Sequence, residues 1–317
     1  MTVPFDDLPL GEQRDRFKEL EDLGYTDVWS SEANGSDAFT PLVLASQWAP
    51  SLRLGTAIVP AYTRGPACLA QSTASLASAA PGRVALGIGT SSNVIVEGWN
   101  GIPFVEPYRQ TQAMLRFLKV ALTGEKVTGD FGRFAVRGFK LGVKVPEQVP
   151  ILVAALREGM LRLAGREADG AIINWLSADD VSTVAPIVQA ASPDGSPREV
   201  VARIFVAPID DRETVMGFAR FAIAAYLSVP VYAEFHRWLG REDRLSDMWR
   251  LWANGDRKGA LAAIPESVVD ELIVWGPPEK CREHIARYVE NGVTTPALAL
   301  LPFGYDIAQA VRDLAPR

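Results

Sequence analysis

Short apolar segments alternate with helix-like segments along almost the whole chain, and this alternation limits the folds that the sequence can adopt. The apolar segments are rich in Val, Ile, Leu and Ala, and most of them do not alternate with polar residues. Strands of that kind are buried on both faces, as in a parallel sheet covered by helices. Such sheets carry their chemistry at the carboxyl ends of the strands, so we expect functional residues in the loops that follow them.

Eight strands, each followed by a helix, account for this pattern. The predicted strands are residues 3–5, 27–31, 52–59, 83–89, 151–155, 171–175, 200–207 and 297–301. The predicted helices are residues 11–23, 36–49, 66–80, 106–123, 158–168, 179–191, 276–292 and 306–314. The economical arrangement in the α/β class is a (β/α)8 TIM barrel with insertions, and an open doubly wound sheet is the alternative.

Two segments do not fit the repeating unit and are predicted insertions. Residues 126–149 contain four glycines among β-forming residues and predict a loop with a small hairpin, whereas residues 212–264 predict a long helical excursion. We expect one domain over residues 1–317, with 212–264 as a helical insertion within it. Loops of this kind vary between barrels, so this excursion is expected to shape substrate specificity.

Composition narrows the classes of partner and compartment. The 317 residues are 48% hydrophobic, which is enough for a large core. The formal net charge of −6 provides no basic surface for nucleic acid. The two cysteines, Cys68 and Cys281, argue against a disulfide framework and favour a reducing cytoplasm. We recognise no secretory signal and no apolar run of the ~18 residues that a membrane span requires.

The loop after the fourth strand is a candidate ligand site. Gly87 and Gly89 let the backbone approach a ligand closely, and Thr90, Ser91 and Ser92 offer hydroxyl groups. The segment lacks the third glycine of a dinucleotide fingerprint. Ligand contact and an ordinary loop both remain open, and the position at a strand's carboxyl end favours contact.

The segment after the fifth strand, residues 154–160, opens a helix. Free backbone N–H groups at a helix start attract phosphate, and Arg157 can add a charge-assisted hydrogen bond. In the alternative interpretation Arg157 lies on a solvated loop, paired with Glu158.

Aromatic and acidic residues at other strand ends are further candidates. Asn174 and Trp175 end the sixth strand and Trp29 lies in the second, where an indole either walls a planar ligand or packs beneath a helix. Glu32 follows Trp29 and is either an acid–base residue above the barrel or a helix N-terminal charge. Glu97 lies in the loop after the fourth strand and could close over a site or merely order that loop.

Other kinds of catalytic centre find no support in the sequence. His236 and His284 lie within predicted helices, where surface or packing roles are expected. No cluster of His, Cys and carboxylate residues has metal-ligand spacing, so no metal is predicted. No nucleophile elbow, P-loop or H-E-x-x-H motif occurs. A bound cofactor is therefore expected to carry the chemistry.

Four segments resemble the bacterial-luciferase-like superfamily in the right order. They are LGYTDVWSSE at residues 23–32, RLGTAIVP at 53–60, PGRVALGIGTS at 81–91 and LAGREADG at 163–170. They resemble the first helix with the second strand, the third strand, the fourth strand, and the fifth helix with the sixth strand. The resemblance covers residues ~10 to 180 and is closest to the actinobacterial branch of coenzyme F420-dependent oxidoreductases.

The resemblance implies a homodimeric barrel that holds a flavin-like cofactor, either F420 or FMN, and acts on a small-molecule substrate. Ala57 and Ile58 correspond to the bulge beneath the ring, often a non-prolyl cis peptide, and Glu32 matches an acid beside the deazaflavin. From the resemblance and the motifs together, the predicted cofactor-binding residues are Ala57, Ile58, Gly89, Thr90, Ser91, Ser92, Ala155, Leu156, Arg157, Glu158, Gly159, Met160, Asn174 and Trp175.

Two departures argue against transferring a substrate from the sugar-phosphate dehydrogenases of this superfamily. Ala33 occupies the place of their catalytic His, and a residue near Ser92 occupies that of their acidic partner. The leading hypothesis is hydride transfer between F420 and an unidentified organic substrate, with Glu32 and Glu97 as candidate catalytic residues and Trp29, Trp99 and Trp175 shaping the pocket. An FMN-dependent monooxygenase and a non-catalytic cofactor-binding protein are the alternatives.

Overall fold

The computed structural model describes residues 1–316 and has the predicted succession of strands and helices. The strands are β1 (Asp27–Ser30), β2 (Arg53–Thr56), β3 (Val59–Pro60), β4 (Val84–Gly89), β5 (Val127–Asp130), β6 (Ala135–Phe139), β7 (Ile151–Ala154), β8 (Gly170–Asn174), β9 (Glu199–Ala207), β10 (Val274–Trp275) and β11 (Thr295–Leu300).

Helices follow the strands of the sheet. They are α1 (Arg14–Asp22), α2 (Thr40–Trp48), α3 (Pro66–Ala79), α4 (Pro107–Ala121), α5 (Glu158–Glu167), α6 (Ala178–Ala190), α7 (Arg212–Leu227), α8 (Pro230–Trp238), α9 (Glu242–Ala253), α10 (Arg257–Ala262), α11 (Glu266–Leu272), α12 (Pro278–Glu290) and α13 (Ile307–Asp313). Proline lies in the first turn of α2, α3, α4, α8 and α12, where its missing N–H costs no hydrogen bond.

The sheet is a parallel barrel. Neighbouring strands run in the order β1, β2, β4, β7, β8, β9 and β11, while β3 pairs with β4 and β10 with β9. The N-terminal segment closes the circle: the N–H of Thr2 donates to the carbonyl of Leu298 at 2.7 Å, and that of Val3 to the carbonyl of Trp29 at 2.9 Å. The open doubly wound sheet is therefore wrong, and the (β/α)8 barrel is confirmed.

The structure contains β10 and α11, which were not predicted, and it differs from the predicted elements in three places before residue 60. The first strand, expected at residues 3–5, is a single bridge from Thr2 to Trp29. The third strand divides into β2 and β3 at a cis peptide bond between Ala57 and Ile58. The helix expected from residue 36 begins at Thr40, because the Asp37 carboxylate accepts hydrogen bonds from the two backbone N–H groups at positions 39 and 40 and holds a turn there.

Side chains that point inward fill the barrel in layers. At its lower end the Arg53 guanidinium donates two hydrogen bonds to Glu199, at 2.8 and 2.6 Å. Trp29 fills the middle layer together with Val201 and other apolar residues. Gly55 makes room for it, because a Cβ atom there would lie 2.2 Å from the indole ring. The barrel is thus packed from below and open only at its upper end.

Both insertions have the predicted structure. Strands β5 and β6 form an antiparallel hairpin between α4 and β7, and α7 to α10 make residues 212–264 helical. Among the helices of residues 1–316, none alone has the length and apolar character that a bilayer crossing requires. Together α7 and α8 reach that length and apolarity, but the pair is bent by 101°.

Candidate active site

Three adjacent cavities, which share lining residues, form a cleft over the carboxyl ends of the strands. We call them the outer lobe (about 740 Å³), which lies beside the start of α5; the central lobe (about 220 Å³), above the middle of the barrel; and the far lobe (about 260 Å³), between the loops after the N-terminal segment, β1 and β11. Thr90, Ser91 and Ser92 line both the outer and central lobes. Ser31, Ala33, Arg203 and Tyr226 line both the central and far lobes.

Small residues keep the floor of the central lobe low. Ala57, Ile58 and Ala154 line it, while Gly89 lies beneath, where an added Cβ atom would be 2.7 Å from that of Ala154. The Ala57–Ile58 bond is cis, in agreement with the resemblance. The N–H of Ala57 donates to the Ser30 carbonyl at 2.5 Å. This floor leaves space for a flat ring above the barrel.

The outer lobe ends at the first turn of α5. Arg157 precedes the helix in extended conformation, with φ −116° and ψ 168°, and no side chain caps the helix start. The first intrahelical bond runs from the N–H of Leu161 to the Arg157 carbonyl, so the N–H groups of Glu158, Gly159 and Met160 are not used within the helix. These residues line the lobe. Their N–H groups and the positive end of the helix form an environment that suits a phosphate group.

Arg157 adds a partly exposed positive charge at this end of the cleft. Its side chain is 47% exposed, and its ion pair with Glu234 spans 4.0 Å, which is too long for a hydrogen bond. The predicted partner Glu158 instead accepts two hydrogen bonds from Arg162. The Arg157 guanidinium can therefore turn toward an anion in the outer lobe at little cost.

Glu32 lines the central lobe but already has a strong partner. The Arg64 Nε donates to its two carboxylate oxygens at 3.1 and 3.0 Å, and Nη2 donates at 2.7 Å. The backbone N–H of Glu32 donates to the Ile58 carbonyl at 3.0 Å. Glu32 therefore joins the loop after β1 both to the floor of the cleft and to the loop before α3.

The structure does not bring every predicted site residue to the cleft. Trp175 is buried, with φ +53°, and stacks on Phe205 at 4.1 Å between ring centroids. Trp29 is buried in the barrel interior. Glu97 and Trp99 lie exposed on a π-helical turn, Val94–Trp99, where a plain loop was expected. None of these four side chains is part of the lining of the three lobes.

Neither histidine is part of that lining. His236 is fully buried in α8, and burial lowers its pKa to about 3, so the imidazole is neutral at physiological pH. His284 is half-buried in α12 and stacks against Tyr288. Both environments agree with the packing roles expected for them.

Several residues that the sequence interpretation missed line the cleft. Tyr232 of α8 accepts a hydrogen bond from the Asn174 side chain at 3.4 Å, and burial raises the pKa of Tyr232 to about 12. Val229 and Val231, next to it, form an apolar wall shared by the outer and central lobes. Arg203 of β9 lines the central and far lobes. It could have been noticed, because it is the one charged residue within the apolar run 200–207.

Comparison with known proteins agrees with this architecture. The family model for luciferase-like monooxygenases matches residues 5–295. The chain belongs to this family. It is 26% identical to the "Putative coenzyme F420-dependent oxidoreductase" of Mycobacterium tuberculosis, in an alignment that covers 93% of this chain and 91% of that protein.

Two solved structures of this luciferase-like architecture illustrate the range of relatives. The coenzyme F420-dependent tetrahydromethanopterin reductase from Methanopyrus kandleri has a TM-score of 0.82 and 19% identity, covering 99% of this chain and 96% of that one. A type II Baeyer–Villiger monooxygenase from Pseudomonas putida, in complex with FMN, has a TM-score of 0.66 and 16% identity, covering 96% and 91%. Their identities are low, so these two structures establish the fold alone.

Proposed function

We propose that this protein is a coenzyme F420-dependent oxidoreductase that transfers a hydride between the deazaflavin and a small organic substrate. The observation that carries the proposal is the cleft of three adjacent lobes. It joins an uncapped helix start, a low floor of small residues and a separate far lobe, which together can accommodate a phosphate-bearing cofactor and a second molecule. The similarity to a relative named for coenzyme F420 supports F420 as the cofactor.

The residues of the cleft suit the parts of such a cofactor. The α5 start and Arg157 would hold the phosphate of the tail, while Ser91 and Ser92 lie between the tail and ring positions. Ala57 and Ile58 would support the ring from below. When bound, the deazaflavin supplies the site that accepts or donates a hydride.

The protein's own contribution is mainly orientation and exclusion of water. Val229 and Val231 form an apolar wall of the central lobe, which would help to exclude water when a cofactor fills the lobe. Electrostatic interactions strengthen where water is excluded. Holding two reactants in fixed relative positions removes much of the entropic cost of their encounter. Glu32 is the candidate acid–base residue that lies in the lining, and Arg64 fixes its carboxylate in place.

The test is a pair of titrations of the purified protein, one with F420 and one with FMN, in which fluorescence quenching reports binding. We expect micromolar or tighter binding of F420 and binding of FMN that is at least about 10-fold weaker, a difference of about 1.4 kcal/mol. The reverse preference would support an FMN-dependent monooxygenase, the alternative that the FMN-bound structural relative favours.

Turnover separates an enzyme from a non-catalytic binding protein. Reduced F420 is mixed with the protein and a panel of ketones and enones, and the absorbance of oxidised F420 is recorded. We expect catalysed oxidation with at least one class of compound. Tight F420 binding without any hydride exchange across the panel would support the non-catalytic alternative.

A further inference from the structure

Arg203 lines both the central and the far lobe, where the two adjoin. Val201 of β9 points into the barrel interior beside Trp29. Side chains of a strand alternate between its two faces, so Arg203, two residues further on, lies on the same inward side one layer higher. It lines both lobes there, and it is the only cationic side chain among the described residues that line either of them.

This cation lacks the partners that arginines elsewhere in the barrel have. The Nε atom of Arg203 is buried and has no hydrogen-bond partner, and no carboxylate of residues 1–316 forms a salt bridge with it. Its Cζ atom lies 5.1 Å from the centroid of the Phe205 ring, and its charge acts on the Tyr232 hydroxyl group. Arg53, at the opposite end of the same barrel, donates twice to Glu199. A buried hydrogen-bond donor without an acceptor costs free energy, so a ligand that brings an acceptor to Arg203 would remove that cost.

The far lobe has the size and polarity for a small polar molecule. Its volume is about 260 Å³, which corresponds to roughly nine water molecules at ~30 Å³ each. Asn34, Ser31 and Ser36 offer amide and hydroxyl groups, and the Thr2 hydroxyl is buried without a partner.

We infer that Arg203 is a specificity-determining residue that binds an anionic group, a carboxylate or a phosphate, of the second substrate in the far lobe. The inference rests on the proposed function, since it assigns the rest of the cleft to the cofactor. Arginine suits such a role because its planar fork matches both anions with paired hydrogen bonds. The substrate class is thus a small organic anion whose reducible or oxidisable carbon lies toward the central lobe.

The test measures anion binding to the F420-saturated protein and to the protein alone by saturation-transfer NMR. The probes are acetate and methyl phosphate, which separate the two anion classes and carry the methyl protons that the measurement detects, and neutral acetamide. We expect one of the anions, and not acetamide, to bind both forms. Binding to the F420-saturated form reports on the far lobe, because the cofactor then fills the phosphate site of the outer lobe. Arg203→Met should weaken this binding at least about 10-fold and leave F420 affinity within a factor of about three, because a charge-assisted pair is lost while the outer lobe is unchanged.

Two further variants keep the outcome interpretable. Arg203→Lys retains the charge without the fork, and we expect it to recover part of the anion affinity. Arg250→Met removes an exposed guanidinium on α9 that is paired with Asp247, and it should leave both anion affinity and F420 affinity unchanged.

Equal anion binding by wild type and Arg203→Met would overturn the inference, as would the absence of anion binding by wild type. F420 that displaces the anion, together with a loss of F420 affinity in Arg203→Met, would assign Arg203 to the cofactor and also overturn it. A failure of the proposed function alone would give a different result. The protein would then not bind F420, but it would still bind the anion in a way that depends on Arg203.

Discussion

Replacing Arg64 should destabilise the fold partly through Glu32 and partly through Asp37, Ser72 and Phe39, which it also contacts. A double-mutant cycle can isolate the coupling with Glu32. The three contacts between the side chains span 2.7 to 3.1 Å, and the side chains are only 21% and 17% exposed. Exposed ion pairs contribute ~0.2–1 kcal/mol, whereas breaking a fully buried pair costs ~3–5 kcal/mol. A partly buried pair lies between these limits, so we expect a coupling of about 2 kcal/mol.

The assay is thermal unfolding of wild type, Glu32→Gln, Arg64→Met and the double variant. An unfolding entropy of ~2.1 cal/mol/K per residue over 317 residues gives about 0.7 kcal/mol/K. A coupling of about 2 kcal/mol then corresponds to about 3 °C in Tm. The matched control is the pair of Arg250 and Asp247, which has a similar 2.8 Å contact but is 60% and 71% exposed. If the two cycles give equal coupling energies, the structural role assigned to Glu32 is refuted.

Three further predictions concern the core, pH and the outer lobe. Gly87→Ala should lower the free energy of unfolding, measured by urea titration, by about 2 kcal/mol or more, because its Cβ atom would lie 2.0 Å from the Thr56 carbonyl oxygen. The control Gly217→Ala, whose Cβ atom would meet open space on a helix, should raise the free energy of unfolding in the same measurement. Burial lowers the pKa of His236 in the folded chain to about 3. Below pH ~6.5, His236 therefore binds a proton in the unfolded chain but not in the folded chain. Wild-type stability should therefore fall by up to about 1.4 kcal/mol per pH unit below that value; unless the fall in Tm between pH 7 and pH 5 is smaller in His236→Leu, this reasoning is wrong. Met160→Glu should weaken F420 binding at least about 10-fold relative to Met160→Gln without lowering Tm, because a carboxylate repels phosphate but suits a helix start; equal affinities would contradict the placement of the phosphate.

The sequence predicts the order and type of the elements well, because apolar runs separated by Gly and Pro reflect local physics. The direction of individual side chains is harder to predict. In a strand buried on both faces the apolar pattern does not distinguish the inward from the outward side. Trp29, inside the barrel, and Trp175, packed against Phe205, were therefore equally plausible pocket walls.

The parts of the candidate site that are formed by backbone at strand ends could be predicted from the sequence. The parts that depend on side-chain pairs far apart in the sequence could not. The α5 start and the Thr90–Ser92 loop follow from their positions at strand ends, and both line the cleft. The partnership of Glu32 with Arg64 joins residues 32 positions apart, and no local pattern reveals it. Arg203 was an available signal, since a charge within an apolar strand requires either a partner or a polar cavity.

The most direct test of the central claim is F420 affinity in variants of the two segments assigned to its tail and ring. The purified wild type, Arg157→Ala and the double variant Ser91→Ala, Ser92→Ala are titrated with F420, and their Tm values are compared as a check of folding. The account predicts micromolar or tighter binding by wild type and clearly weaker binding by both variants at unchanged Tm. Tight F420 binding that survives both changes would contradict the placement of the cofactor in this cleft.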